Sequence, residues 1–187
     1  MTGSGYHQGV PNARIDALLD PAFLDGLQGL AIEEVRVRRR RCSEVEVGVS
    51  YLRRLIQGRL DIVLAEAHRR EAGGEPEDVA ALVGRLPEIL SEHVHSPGNG
   101  RLPALLAPSD ADESLVDRLD AILDADRIAA LPQMDDVELR STVAALRGLE
   151  RETSTDRRAL HEVMDQLQDE LVRRYKTGEA SVDSLLA

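Results

Sequence analysis

The chain reads as an all-α protein: an antiparallel coiled coil of two long helices, with short connecting helices and flexible termini. Three observations predict this. Apolar residues recur at spacings of three and four through residues 31–72 and again through 135–176, the pattern of helices that zip together. Aromatics make up only 2% of the chain, with no Trp and a single Phe, Phe23. A large globular core normally uses more of them, whereas helices zipped by Leu, Val, Ile and Ala do not need them. The remaining signal is a 30% charged fraction beside a 42% hydrophobic one, which suits a folded, helix-rich chain of one domain or one extended unit.

The formal net charge of −11 argues against broad binding of DNA or RNA, whose affinity comes mainly from neutralising phosphates. It leaves room for a local arginine cluster that holds one small anion. The single cysteine, Cys42, has no partner for an internal disulfide and reads as a buried seam residue. No apolar run reaches the 18 or so residues of a membrane span, and the first residues lack a signal peptide's apolar stretch. The expectation is a soluble, cytoplasmic protein.

Residues 1–13 are polar and glycine-bearing, and read as a disordered tail. Residues 14–30 hold short amphipathic helical pieces, Ile15-Leu18-Leu19 and Phe23-Leu24-Leu27, broken at Asp20-Pro21. The first long helix occupies 31–72, with its seam at Cys42, Val45, Val49, Leu52, Ile56 and Val63 and its end at Gly73-Gly74. Arg59 falls on that seam and predicts imperfect packing. The basic run of Arg36 and Arg38 to Arg41 is either a solvated face near Glu33-Glu34 or a contact for an acidic partner.

Residues 73–134 form a connector that lets the long helices return antiparallel. Pro76 opens a short helix through Leu86 to Ser91, and Ser109 with Asp112 caps another through Leu115, Leu119 and Leu123. Between them His93-x-His95 reads as a loop. Two histidines without a Cys or acid at ligand spacing are a weak zinc signal. The second long helix spans 135–176, opened by a capping-box pattern at Asp135 and Glu138. Its seam is Leu139, Val143, Leu146, Thr153, Leu160, Met164, Leu167 and Leu171, weakened at Thr153 and Asp156. Residues 177–187 are a tail.

One polar stripe stands out on the first long helix. Glu46, Ser50, Arg53, Gln57 and Asp61 fall within an arc of about 80° at roughly 100° per residue. The second helix repeats the spacing with Glu150, Ser154, Arg157, His161 and Asp165. Flanking positions repeat as well: Val45 with Leu149, Ile56 with Leu160, Leu60 with Met164, Val63 with Leu167, and a second arginine, Arg54 with Arg158. This is an internal repeat of polar and apolar positions together. Paired antiparallel, the two stripes come into pseudo-twofold relation, which suits a twofold ligand. Arginine can donate to guanine O6 and N7. A carboxylate can accept from guanine N1–H and N2–H₂. Serine, glutamine and the second arginine suit phosphate or sugar oxygens. A cyclic dinucleotide of guanine offers all of these.

The pattern E-x₃-S-x₂-R-x₃-Q-x₃-D, twice on an antiparallel coiled coil, resembles the RsiG family, cyclic-di-GMP-dependent anti-sigma factors of actinomycetes. The first copy matches at all five positions and the second at four, departing at His161. The resemblance covers the two long helices and says little of the N-terminal residues or the middle. It implies that both stripes bind a cyclic di-GMP dimer and that the loaded protein holds a WhiG-type sigma factor away from RNA polymerase, controlling sporulation transcription. No cofactor is expected beyond that regulatory ligand, and the net charge and the lack of a long apolar run predict no direct DNA binding and no membrane contact. His161 can still donate a hydrogen bond, but its charge changes near neutral pH.

No Gly-rich phosphate loop, catalytic-serine elbow or Cys–His pairing around Cys42 is present, so no enzyme is expected. The alternative is a ligand-independent coiled-coil adaptor or dimerisation protein, on which each stripe is a hydrated flank with i,i+4 pairs. A nucleotide sensor that holds some other protein is a third reading.

Overall fold

Two long helices dominate the computed structural model, which describes residues 12–74, 79–91 and 113–179. In chain order the helices are α1 (Ala13–Leu19), α2 (Ile32–Glu71), α3 (Val79–Ser91), α4 (Glu113–Ile122), α5 (Ala125–Ala129) and α6 (Asp136–Thr177). Short 3₁₀ turns at Pro21–Leu24 and Leu27–Gly29 lead into α2, and another at Leu131–Gln133 leads into α6. There is no strand among the described residues, and α2 packs against α6. The N-terminal tail up to residue 11, Pro76, the His93-x-His95 loop, the Ser109–Asp112 cap and the tail beyond Glu179 lie outside the described residues.

The helix ends follow from local chemistry. Asn12 caps α1, its Oδ1 accepting from the backbone N–H of Arg14 at 3.1 Å and of Ile15 at 3.3 Å. Asp135 does the same for α6, accepting from Val137 and Glu138 at 2.8 Å each. The expected capping box does not close, because Glu138 accepts from Arg127 instead. At the end of α2, Gly73 takes φ +71°, a value L side chains resist. There the N–H of Gly74 reaches Arg69 O and that of Gly73 reaches Arg70 O, both at 2.9 Å, which answers two otherwise orphaned carbonyls.

The chain divides into two compact units, residues 1–45 with 159–187, and residues 46–158. In the first, Val35 and Cys42 of α2 and Leu160, Val163, Leu167 and Leu171 of α6 are buried, with Ile15 and Leu18 of α1. In the second, Val49, Leu52, Ile56 and Val63 of α2 are buried with Leu139, Leu146 and Leu149 of α6. Leu119 of α4 and Leu123, both fully buried, belong to this unit too. Each such side chain contributes roughly 1.5–3 kcal/mol on leaving water.

Two expected weak points are resolved. Arg59 does not spoil the seam: its guanidinium bonds Asp120 at 2.6 Å and the Leu123 carbonyl, so it anchors α4. Thr153 is buried but satisfied, its hydroxyl donating to Leu149 O at 2.8 Å. A bidentate pair between Arg118 and Glu152, at 2.9 and 2.7 Å, ties α4 to α6.

Candidate functional site: a reciprocal cross-helix network

The antiparallel register of α2 and α6 in the second unit brings six stripe residues into one hydrogen-bonded network. Ser50 Oγ donates to Glu46 Oε1 at 2.6 Å, and its counterpart Ser154 donates to Glu150 Oε1 at 2.9 Å. The arginines then cross between helices. Arg53 Nε donates to Ser154 Oγ at 2.8 Å and to Glu150 Oε1 at 3.0 Å. Arg157 Nε donates to Ser50 Oγ at 3.1 Å and lies 3.3 Å from Glu46 Oε1. Each serine therefore accepts from an arginine of the other helix while donating to a glutamate of its own. The internal repeat exchanges Glu46 with Glu150, Ser50 with Ser154 and Arg53 with Arg157, and the observed bonds obey that exchange.

The network is half-buried, with the Arg53 and Glu150 side chains 33% and 22% exposed. Both arginines are engaged through Nε alone. No bond from their terminal Nη atoms is seen among the described residues, which leaves donors for a further acceptor. Gln57 and Asp61 are half-buried on the next turns of α2. With Leu60, Leu64, Glu150, Arg147 and Arg151 they line a cavity of about 350 Å³. Arg54 and Arg158 are exposed, and neither lines that cavity. His161 and Asp165 continue α6 into the first unit, where His161 is half-buried and Asp165 exposed. No group of His, Cys, Asp and Glu among the described residues could hold a metal ion. Cys42 is fully buried, and burial pushes its thiol up to about 11, far from a nucleophile's range.

A second repeated device was not anticipated. Glu66, Arg69 and Arg70 on α2 correspond to Glu170, Arg173 and Arg174 on α6, at the same offset that relates the stripes. Arg70 bonds Glu66 through Nε at 2.6 Å and donates to Leu131 O and Met134 O at 2.8 and 2.7 Å. Within the other unit, Arg174 bonds Glu170 at 2.6 Å and donates to Leu27 O and Leu30 O at 2.8 and 2.7 Å. Each arginine clamps the 3₁₀ turn that leads into a long helix. Burial acts to raise the Glu66 carboxyl, but hydrogen bonds from Arg69 and Arg70 outweigh it and hold the group below its usual value. Hydrogen bonds from Arg173 and then Arg174 lower Glu170 to about 2. The repeat extends further upstream, where Arg14-Ile-Asp-Ala-Leu-Leu-Asp20 corresponds to Arg118-Leu-Asp-Ala-Ile-Leu-Asp124. A search for that constant offset beyond the stripes would have found both.

Fold and site together define a helical, coiled-coil type of protein with a duplicated polar site across its paired helices. Residues 21–90 match the family model described as RsiG-like. The match takes in the first stripe, Glu46 to Asp61, and stops before the second. No curated protein matches the chain. Among the described residues, no helix is long and apolar enough to cross a membrane.

Proposed function

We propose that the chain is an anti-sigma factor that binds cyclic di-GMP through its two repeated stripes and, when loaded, holds a WhiG-type sigma factor away from RNA polymerase, controlling sporulation transcription. The observation that carries this reading is the reciprocal network around Arg53 and Arg157. Two copies of one recognition set face each other with arginine Nη donors unspent, as a twofold guanine ligand requires. Guanine O6 and N7 are matched by guanidinium donors. The N1–H and N2–H₂ edge is matched by a carboxylate such as Glu150, of which only Oε1 is bonded within the network.

A second reading is favoured by the same bonds. Arg53–Glu150 and Arg157–Glu46 also join the helices with no ligand, as a constitutive adaptor would need. Magnitudes weigh against that as their purpose. Partly exposed pairs of this kind contribute about 0.2–1 kcal/mol each, whereas every buried seam residue contributes more. By these magnitudes the seam supplies more of the helix pairing than the arginine–glutamate bonds do.

Titration calorimetry with cyclic di-GMP separates the readings. On the first, the wild type binds guanine-selectively, with its sigma factor present or absent, and Arg53→Ala with Arg157→Ala abolishes or greatly weakens binding. On the second, no variant gives binding heat. Pull-down of the sigma factor with and without nucleotide tests the gating.

A further inference from the structure

A cyclic dinucleotide carries phosphodiester anions as well as guanine edges, and these need positive charge that no carboxylate already answers. Arg53 and Arg157 do not offer it, since each has a glutamate of the other helix on its Nε. Arg147 and Arg151 do. Both are exposed on α6, four residues apart and on either side of Glu150 in sequence. Both line the cavity of about 350 Å³ that also contains Gln57, Asp61 and Glu150. Neither forms an ion pair among the described residues, although Glu150 lies only three residues from Arg147. Like charges at i and i+4 destabilise a helix. An anion held by both guanidinium groups converts that repulsion into two charge-assisted contacts.

We infer that Arg147 and Arg151 are the phosphate-binding residues of the groove and make the half built on Gln57 and Asp61 the tighter of two half-sites. This rests on the cyclic di-GMP reading and adds residues the duplicated motif does not contain. The cavity is at the small end for ligand sites, with Leu60 and Leu64 as apolar wall. The repeat places Ser43 and Val47 where Arg147 and Arg151 stand, so the other motif copy has no such cations at those positions. The two copies of the repeat differ in sequence: Gln57, Arg147 and Arg151 correspond to His161, Ser43 and Val47.

The test is calorimetry of the full chain with cyclic di-GMP, with its sigma factor present and absent, at low and high salt. Wild type is compared with Arg147→Ala/Arg151→Ala, with the double lysine variant and with Arg140→Ala. Loss of two charge-assisted bonds weakens binding by about tenfold or more and flattens the salt dependence. The lysine pair restores part of both, and Arg140→Ala, at an exposed position of α6 outside the cavity, changes little. Unchanged circular dichroism shows that the exposed positions do not affect folding. Binding by the alanine variant within twofold of wild type, with the same salt dependence, overturns the inference and leaves the proposed function standing. If nucleotide uptake is normal but sigma-factor capture is lost, the arginines belong to the protein contact and the phosphate assignment falls. If the wild type itself takes up no cyclic di-GMP, the proposed function fails and the inference falls with it.

Discussion

Arg53 donates to the hydroxyl of Ser154 at 2.8 Å, and that hydroxyl passes its own proton toward Glu150 on the same helix. The serine is thus the hinge of the network, a single oxygen serving both helices. The same relation holds between Arg157 and Ser50.

Because these bonds are partly exposed, Arg53→Ala/Arg157→Ala is expected to lower stability by no more than about 2 kcal/mol. Urea denaturation followed by circular dichroism gives the value. A loss several times larger would mean that the network, and not the seam, holds the helices.

Core truncations behave differently. Ile56→Ala and Leu146→Ala, at two fully buried positions of the second unit, should each cost about 2–5 kcal/mol. The same denaturation experiment ranks them against the arginine pair.

Arg174 is 5% exposed, beside Glu170 at 7%. Arg174→Ala leaves several turn carbonyls unanswered and removes one of the two arginines on Glu170, which Arg173 still holds, for a loss of about 1–3 kcal/mol. Arg174→Lys should recover only part, since an ammonium cannot spread its donors between a carboxylate and separate carbonyls. Hydrogen exchange at Leu27 to Leu30 reports the turn directly: protection should fall in both variants, more in the alanine one.

The acid side of the stability profile follows from Glu170. Its carboxyl is lowered to about 2 from an ordinary 4.5, chiefly by Arg173 and then Arg174. The unfolded chain therefore takes up this proton more readily than the folded one. The stabilisation is complete above about pH 4.5 and is lost as pH falls toward about 2. Glu170→Gln should flatten that part of the urea-midpoint profile and lower stability near neutrality.

Cys42 should resist modification. With the side chain fully buried and the thiol near 11, a disulfide-exchange reagent at neutral pH should label it only as fast as the surrounding structure opens. Rapid stoichiometric labelling of the native protein would contradict this burial.

The fold class and both long helices are legible in the residues themselves, because a seam spaced by threes and fours needs no tertiary information to be seen. Val49, Leu52, Ile56, Leu160 and Leu167, expected on the seams, are all buried. The cross-helix pairing of Arg53 with Glu150 is less legible, since it depends on register, which emerges only when two seams dock. The clamps of Arg70 and Arg174 use backbone carbonyls of 3₁₀ turns, and no side-chain pattern announces those acceptors. Arg59 misled for a related reason: a charge on an apolar seam looks like a defect until Asp120 and the Leu123 carbonyl supply its partners.

Carrying both helices on one polypeptide has an evolutionary consequence. A symmetric homodimer must accept every substitution twice, once in each subunit. Here a mutation falls on a single arm. Gln57 can stay while its counterpart becomes His161, and Val47 can stay while its counterpart becomes Arg151. Covalent tethering thus releases the halves from enforced identity, and each face is free to specialise.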